Sequence, residues 1–380
     1  MRAATERSHR SVTPTAMLHA MTRPIGILTS GGDAPGMNAV VRAMTKLAVS
    51  RGVPVVGVEN GYTGLLEGRL RPLTHVSDAG QLGVDTQIDL LGAVGGTLLG
   101  SAREPRFMTT EGREPATRTL QSLRGLIVVG GNGSLRGAHA LATESEVPVV
   151  GVPASIDHDV GCTGLSIGVD TALNTIVSSC DRICDTALAH HRAFVVEVMG
   201  RDCGYLAMAA AVAMGAEAVL FREQGRDEAQ LVDAVEGAIR HAFSERGKRR
   251  VLILKAEGVK TPCTRLVRLV AARLDDLVDV DVRATVLGHL VRGGAPSFRD
   301  RMVAGRLGMA AVDAVLHGHT DTMVAWQPLV AGGEQTADPQ VRRFGLEQVL
   351  RESEALVDGT SPITQRRVAM MDAIEGVLGL

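Results

Sequence analysis

Two carboxylates stand two residues apart in the segment Gly151-Val-Pro-Ala-Ser-Ile-Asp157-His-Asp159. The segment begins in a continuously apolar run, which predicts that the carboxylates follow the end of a buried strand. One carboxylate at such a position can hold a metal ion while the other takes a proton from a hydroxyl. The transfer of a phosphoryl group to an alcohol requires both roles. The spacing therefore predicts a phosphoryl-transfer site around Asp157 and Asp159.

Three glycine-rich turns offer backbone N–H groups to an anion. The first runs from Gly31 to Asn38 and has the glycine spacing of a P-loop, but it lacks the Lys-Ser/Thr pair of a Walker site. Taken alone, this motif is better explained by a tight connection from strand to helix. The second, Gly130–Ser134, is not followed at the next strand end by the acidic residue that a dinucleotide site uses for ribose. The third delivers Arg103, whose planar guanidinium suits phosphate oxygens.

The composition argues against several classes of function. The chain has 380 residues, is 45% hydrophobic and carries a formal net charge of −2 with scattered basic residues, which gives no support to nucleic-acid binding. One Trp, two Tyr and six Phe are too few for base-stacking platforms. No apolar run reaches the length of a membrane span. The five cysteines lack paired zinc spacing, and their odd number is typical of a reducing compartment, so we expect a cytoplasmic protein.

Apolar runs alternate with helical patterns along most of the chain, which predicts doubly wound α/β layers. Helices are predicted around Val40–Ala48, terminated by Gly52, and over Thr171–Ala187. Ligands of such folds bind beyond the carboxyl ends of the strands, where the glycine-rich turns lie. The runs predicted as strands are Ile25–Thr29, Val53–Val58, Leu126–Val129, Val147–Val152, Ala193–Val198, Ala218–Leu220 and Val251–Leu254.

Residues 1–22 form a basic, hydroxyl-rich leader without an apolar stretch of signal-peptide length. We expect a disordered tail or a start assigned too far upstream, with a transit peptide as the alternative.

The motifs together resemble the phosphofructokinase family, the glycolytic kinases that act on fructose 6-phosphate. Six segments carry the resemblance in family order, within about residues 23 to 320. They are Gly31-Gly-Asp-Ala-Pro-Gly-Met-Asn38, Gly96-Thr-Leu-Leu-Gly-Ser-Ala-Arg103, Gly130-Gly-Asn-Gly-Ser134, Ser155-Ile-Asp-His-Asp159, Val196-Glu-Val-Met-Gly-Arg201 and Arg283-Ala-Thr-Val-Leu-Gly-His-Leu-Val-Arg-Gly-Gly294.

The resemblance implies two Rossmann-like doubly wound domains with the active site in the cleft between them. The larger, nucleotide-binding domain would comprise residues 23–168 and about 292–345. The smaller, sugar-phosphate-binding domain would comprise residues 169–291, and residues 346–380 would form C-terminal helices.

The resemblance also assigns catalytic roles. Asp157 matches the general base that accepts the proton of the sugar's 1-hydroxyl, and an aspartate of ordinary pKa suffices because the hydroxyl loses its proton late. Gly32 matches the glycine whose backbone approaches the transferring phosphate, while Arg103 and Arg201 match arginines that neutralise charge there. Asp159 and Asn132 match the Mg²⁺ positions. The residues implied to contact ATP are Gly32, Tyr62, Arg103, Glu104, Asn132, Gly133 and Ser134.

The sugar-phosphate site is implied in the same way. His289 and Arg292 match the pocket for the 6-phosphate. Arg192 and Arg283 match arginines that reach this phosphate from a neighbouring subunit, which implies a homotetramer. The residues implied to bind the substrate are Ser155, Asp157, Asp159, Arg192, Met199, Gly200, Arg201, Glu257, Arg283, His289 and Arg292.

Several positions depart from the family pattern or select the donor. Gly133 and Ala154 stand where pyrophosphate-dependent members have Asp and Lys, which favours ATP. Asn132 replaces the Asp of ATP-dependent members and removes a negative charge beside the metal. His158 replaces an Asn, and its charge near neutral pH is expected to act on both carboxylates. Glu104 replaces a residue that is commonly aromatic and is expected to pair with the preceding arginine.

The leading hypothesis is Mg²⁺- and ATP-dependent phosphorylation of fructose 6-phosphate to fructose 1,6-bisphosphate, with no nucleic-acid or membrane partner. The alternatives are a catalytically weak regulatory member of the family, a kinase for another phosphosugar and a pyrophosphate-dependent phosphofructokinase.

Overall fold

The computed structural model describes residues 23–277, 280–375 and 377. The predicted leader, residues 1–22, lies outside the described residues. The strands are β1 (Ile25–Ser30), β2 (Val55–Val58), β3 (Leu70–Pro72), β4 (Thr74–Val76), β5 (Leu82–Val84), β6 (Gly125–Gly130), β7 (Val149–Pro153), β8 (Arg192–Val198), β9 (Ala218–Leu220), β10 (Val251–Ala256), β11 (Asp281–Val286), β12 (Thr322–Trp326), β13 (Glu334–Gln335) and β14 (Val341–Gly345).

The α-helices lie between these strands and after the last one. They are α1 (Met37–Ser50), α2 (Gly61–Leu66), α3 (Thr86–Leu90), α4 (Thr110–Leu120), α5 (Asn132–Glu144), α6 (Val169–His190), α7 (Tyr205–Met214), α8 (Glu228–Arg240), α9 (Cys263–Ala271), α10 (Phe298–Leu316), α11 (Leu346–Asp358) and α12 (Pro362–Ile374).

The larger sheet has the order β13-β14-β12-β7-β6-β1-β2-β3. The strands from β12 to β2 are parallel, and the antiparallel strands β3, β14 and β13 lie at the two ends. Every residue of β1, β6 and β7 is buried, as expected for parallel strands covered by helices on both faces. This burial explains why the sequence shows these strands as continuous apolar runs.

The smaller sheet has the order β11-β8-β10-β9 and is parallel throughout. Its strands come from the stretch of chain between β7 and β12, and α6 leads into it from the larger sheet. The predicted fold class, two doubly wound α/β units, is confirmed. The exact domain boundaries stay a prediction.

Glycines set the ends of the predicted helices. Gly36 precedes α1 with a φ of 111°, and Gly52, with a φ of 72°, follows its C-terminal end. These left-handed conformations cost glycine little. Gly359, with a φ of 84°, separates α11 from α12, so helices do form in the predicted C-terminal segment. In the part of the chain that the structure describes, none of the helices has the length and apolar character needed to cross a membrane.

Candidate active site

A cleft of about 490 Å³ lies at the carboxyl ends of β1, β6 and β7. The chain runs from β1 to β2 on one side and from β6 to β7 on the other, so the cleft is at the point where the strand order reverses. Ligands of open α/β sheets bind at this point. Arg201, which follows β8 of the smaller sheet, also lines the cleft. The cleft is therefore bounded by both sheets.

Asp157 lies in the cleft between two guanidinium groups. Arg292 Nη2 is 3.5 Å from Asp157 Oδ1, and Arg201 Nε is 3.8 Å from Asp157 Oδ2. Arg292 also donates through Nη1 to the carbonyl oxygen of Asp33, at 3.2 Å. The sequence assigned Arg292 only to the 6-phosphate pocket. Its contacts instead connect the carboxylate after β7 with the glycine-rich turn after β1.

The two carboxylates have unusual acidities. Burial raises the pKa of Asp157 to about 6, the neighbouring Asp159 adds to the rise, and Arg292 and Arg201 oppose it. Burial also raises the pKa of Asp159, against hydrogen bonds that include those of Asn132 and Ser155. The expectation of an ordinary pKa at Asp157 is therefore wrong, because the side chain is only 8% exposed.

His158 does not carry the charge expected from the sequence. The residue is buried, and burial lowers the pKa of its imidazole to about 3, with a further lowering by Arg367. The ring is therefore neutral near neutral pH. The expectation that its charge acts on the two neighbouring carboxylates is wrong.

Asn132 and Asp159 form an oxygen-rich pair at the start of α5. Asn132 Nδ2 donates to the backbone carbonyl oxygen of Asp159 at 3.0 Å. This bond leaves Asn132 Oδ1 buried without a hydrogen-bond partner. Buried polar atoms are normally satisfied, so an orphaned oxygen at a cleft wall calls for an additional ligand.

This pair fits a hard cation such as Mg²⁺. Among the described residues, no cluster of three or more His, Cys, Asp or Glu side chains is arranged to hold a metal ion. Mg²⁺, however, keeps several waters and is commonly held by one or two protein oxygens together with substrate phosphates. The carboxylate of Asp159 and the unpaired Oδ1 of Asn132 supply such oxygens.

One wall of the cleft is aromatic. The rings of Tyr62 and Phe107 are stacked with their centroids 4.0 Å apart. Tyr62 is buried, which raises the pKa of its hydroxyl, and that hydroxyl donates to the carbonyl oxygen of Ser134 at 2.5 Å. The sequence analysis did not identify Phe107 as a site residue. Phenylalanine is rare in this chain, with only six, and Phe107 follows Arg103 closely, which is the signal that could have indicated it.

The space beside Gly133 is open, and Glu104 forms an ion pair with Arg106 instead of Arg103. A Cβ added to Gly133 would have no neighbour within 4 Å. Gly32 lines the cleft against the guanidinium of Arg292. Arg103 is exposed at the cleft rim. Glu104 accepts hydrogen bonds from Arg106, which hold its pKa at about 2, so the expected pairing of Glu104 with Arg103 is wrong.

The turn after β8 is held by Glu257. Glu257 Oε2 accepts hydrogen bonds from the backbone N–H groups of Gly200, at 3.2 Å, and Arg201, at 3.1 Å. Arg201 has a φ of 51°, a left-handed conformation that is costly outside glycine. Met199, half-buried, begins the same turn. These contacts bring four of the predicted sugar-side residues together.

Three other residues predicted for the sugar phosphate do not line the cleft: His289, Arg192 and Arg283. His289 is exposed on a short 3₁₀-helix, Gly288–Arg292, whose far end carries Arg292 into the cleft. Arg192 and Arg283 share the carboxylate of Asp281, at 3.0 Å and 2.8 Å from Oδ2. Arg192 opens β8 whereas Met199 follows its last residue, so roughly 20 Å of strand separates them. The structure therefore does not bring Arg192 and Arg283 into the cleft of their own chain.

The fold and the cleft define the class: an α/β protein of two doubly wound sheets with a ligand site at the strand ends. Comparison with known proteins places it within that class. A family model described as Phosphofructokinase matches residues 24–315. The chain belongs to the phosphofructokinase family.

Relatives of known name are similar over most of the chain. The ATP-dependent 6-phosphofructokinase of Thermotoga petrophila is 44% identical over 307 residues, which cover 80% of this chain and 90% of that relative. The ATP-dependent 6-phosphofructokinase 1 of Thermus thermophilus is 42% identical over 335 residues, which cover 86% of this chain and 98% of that protein.

Solved structures share the fold. The phosphofructokinase of Saccharomyces cerevisiae has a TM-score of 0.74 at 30% identity, with 94% of this chain and 48% of the yeast chain covered. The chain thus spans about half the length of the yeast protein. A pyrophosphate-dependent phosphofructokinase from Nitrosospira multiformis has a TM-score of 0.71 at 21% identity, covering 86% of this chain and 84% of its own, and shares the fold alone.

Proposed function

We propose that this protein transfers the terminal phosphoryl group of ATP to the 1-hydroxyl of fructose 6-phosphate. The products are ADP, fructose 1,6-bisphosphate and a proton, as in glycolysis. The observation that carries the proposal is the carboxylate of Asp157, placed at the end of β7 between Arg201 and Arg292. A carboxylate in this position accepts the hydroxyl proton while the guanidinium groups neutralise charge on the transferring phosphoryl group.

The donor side of the proposal assigns ATP to the wall formed by Tyr62 and Ser134 and the open space at Gly133. The backbone of Gly32 and the guanidinium of Arg103 face the phosphates, since both line the cleft. Glu104, fixed by Arg106, borders the same space. ATP as donor is further supported by the names of the relatives with 44% and 42% identity.

Mg²⁺ is assigned to Asp159 and Asn132, whose oxygens fit it. When bound, the ion neutralises negative charge on the phosphates of ATP. The protein's own contribution is to fix these two oxygens beside Asp157, with Ser155 Oγ accepting from the backbone N–H of Asp157 at 3.3 Å.

The acceptor side assigns the sugar to the turn of Met199, Gly200 and Arg201 with Glu257, and the 6-phosphate to His289 and Arg292. Each oxygen of a phosphate dianion accepts hydrogen bonds from cationic groups, and arginine pairs with it in a bidentate manner. These assignments are supported by the motif context and by the contacts of Glu257 with the turn.

A homotetramer completes the proposed acceptor site. Arg192 and Arg283 stand together on Asp281, at the end of β8 that is remote from the cleft. In an assembly, this arginine pair is available to the 6-phosphate of a neighbouring subunit.

The proposed domains are those predicted from the sequence, and the proposed location is the cytoplasm, consistent with five free, buried cysteines.

A regulatory member of the family is the second candidate. It is favoured by Asn132, which leaves one carboxylate instead of two at the proposed metal site. Such a protein would bind fructose 6-phosphate or ATP with little turnover.

A coupled assay of the purified protein with fructose 6-phosphate tests the proposal. ATP and pyrophosphate are compared as donors over a Mg²⁺ titration, and calorimetry measures binding of fructose 6-phosphate. We expect turnover with ATP and Mg²⁺. Binding without turnover by either donor would instead identify a regulatory protein, and turnover with pyrophosphate alone would overturn the donor assignment.

A further inference from the structure

The loop after β7 has a strained backbone on both sides of Asp159. His158 has a φ of 54° and Cys162 a φ of 64°. Left-handed conformations are unfavourable for residues other than glycine and persist only where the surroundings enforce them. Contacts from outside the loop must therefore hold residues 157–162 in place.

The first of these contacts is a column of three side chains. The rings of His158 and Tyr205 have centroids 4.2 Å apart and are tilted by 51°. The guanidinium carbon of Arg367, on α12, lies 4.5 Å from the centroid of the Tyr205 ring. A guanidinium at this distance from an aromatic face gains cation–π attraction. The column therefore extends from the C-terminal helix α12 to the residue between the two carboxylates.

The second contact comes from α11. The backbone N–H of Gly161 donates to Ser353 Oγ at 2.7 Å, and that hydroxyl donates to the carbonyl oxygen of Val349. Ser353 is buried. A Cβ on Gly161 would lie 2.5–2.7 Å from Glu352, Ser353 and Val349, so the backbone of α11 itself lies against the loop. Helix α11 thus contacts the loop directly after Asp159, and α12 reaches the residue before Asp159 through Tyr205.

We propose that α11 and α12 are positioning elements for the reaction, with Ser353 and Arg367 as positioning residues that hold the Asp157–Gly161 loop. This inference rests on the proposed kinase function. Both helices follow residue 315, where the match to the family model ends. Neither side chain needs to touch substrate, because each acts through a residue of the loop or through Tyr205. Loosening them lets the carboxylates leave the reacting geometry, where small displacements are costly.

The test compares Arg367→Met and Ser353→Ala with the matched control Arg366→Met. Arg366 is the preceding residue of α12 and is exposed. Hydrogen exchange of the backbone amides is measured by mass spectrometry in the full-length protein, and kcat, KM for ATP and the Mg²⁺ midpoint are measured with fructose 6-phosphate. We expect faster exchange over residues 157–162 and a kcat at least threefold lower in both variants, with KM for ATP unchanged. Arg367→Lys, which keeps a cation over the ring, should recover part of the kcat.

The outcomes separate the two proposals. Exchange and kcat like those of wild type in both variants, or an equal effect of Arg366→Met, would overturn the positioning role. A loss of melting temperature with unchanged kcat and unchanged exchange in the loop would also overturn it, because α12 would then only stabilise the fold. If the wild-type protein shows no turnover, the proposed function fails, while faster exchange confined to the loop still supports the positioning of residues 157–162.

Discussion

Arg292 Nη2 lies 3.5 Å from Asp157 Oδ1, although the two residues are 135 positions apart in the chain. Both side chains are about nine-tenths buried, and the same guanidinium donates to the carbonyl oxygen of Asp33. One planar group therefore joins the carboxylate after β7 to the turn after β1. The two contacts use two different nitrogens of one planar fork, a geometry that the single nitrogen of a lysine ammonium does not reproduce.

Arg292→Lys is expected to lower kcat by at least tenfold, because the single nitrogen of lysine does not reproduce the two-nitrogen contact with Asp157 and Asp33. His289→Ala, which changes the exposed residue of the same 3₁₀-helix, should mainly raise KM for fructose 6-phosphate. Initial rates over a matrix of both substrates measure the two constants. A rise in KM alone for Arg292→Lys would restrict Arg292 to the 6-phosphate pocket.

Asp157→Asn should reduce kcat by about 10²–10⁴-fold, the usual contribution of a general base. The amide keeps the shape of the side chain, so binding of fructose 6-phosphate measured by calorimetry should change little. Asp78→Asn, in an exposed turn, is the control for loss of an aspartate charge. Full activity of Asp157→Asn would remove the assignment of the base.

Asn132→Asp should lower the Mg²⁺ concentration needed for half-maximal rate by severalfold, because an anionic oxygen replaces the neutral Oδ1 at the proposed metal site. The change also removes the hydrogen bond from Nδ2 to the carbonyl oxygen of Asp159. Asn132→Ala, which loses both atoms, should raise the Mg²⁺ midpoint. The assay is a Mg²⁺ titration at saturating ATP and fructose 6-phosphate. Identical midpoints in all three proteins would show that residue 132 does not act on the metal.

Gly133→Asp should raise KM for ATP at least tenfold, since a carboxylate at this open position would repel the nucleotide phosphates. Gly133→Ala adds the same Cβ without the charge and is the matched control. Rates at fixed fructose 6-phosphate and varied ATP measure the effect. Equal KM values for the two variants would mean that the phosphates do not pass near residue 133.

Glu144→Gln tests the ion pair behind the aromatic wall. Arg113 donates to both carboxylate oxygens of Glu144 and, through Nη1, to the carbonyl oxygen of Phe107. The hydrogen bonds from Arg113 hold the pKa of Glu144 below its usual range. We expect a loss of about 1–2 kcal/mol of folding stability at pH 7, as for a charged hydrogen bond at a partly buried site.

The pH dependence of this loss has a definite sign. The folded pKa of Glu144 lies below the unfolded value, so the stabilisation is complete above the ordinary glutamate pKa and disappears as pH falls through the folded value. The difference in Tm between wild type and Glu144→Gln should therefore shrink on acidification. Glu114→Gln, an exposed change on α4, should show little difference at any pH. A constant difference for Glu144→Gln would exclude the ion pair as its cause.

Local patterns predicted most of the fold that forms the cleft. The sequence predicts β1, β6, β7 and β10 to within three residues at each end, because parallel strands buried on both faces are continuous apolar runs. β12 was missed. Its five residues, Thr322–Trp326, form a short run after the polar segment 317–321, and its place in the sheet depends on pairing with β7.

The sequence predicted which residue types lie at the site more reliably than it predicted the contacts that these residues make. The sequence placed Asp157 and Asp159 after the end of a strand, but it did not predict the burial that raises the pKa of both carboxylates and keeps His158 neutral. The pairing of Arg192 and Arg283 on Asp281 was likewise invisible. The contact of Arg192 with Asp281 joins residues 89 positions apart, and no spacing within a segment encodes it.

The position of β7 in its sheet has a consequence for synthesis of the protein. Its neighbour β6 emerges from the ribosome first, but the other side of β7 is completed only by the segment around β12, where Val149 N–H donates to Thr320 Oγ1, 171 positions later. At about 5–20 residues per second, this interval lasts roughly 10 to 35 seconds. During this interval, one side of the apolar strand that precedes Asp157 is an unpaired edge, and such edges template aggregation. The residues of the smaller sheet are synthesised during this interval. The yield of native protein in cells therefore depends on how well the free edge of β7 is kept from pairing with other chains until β12 has been made.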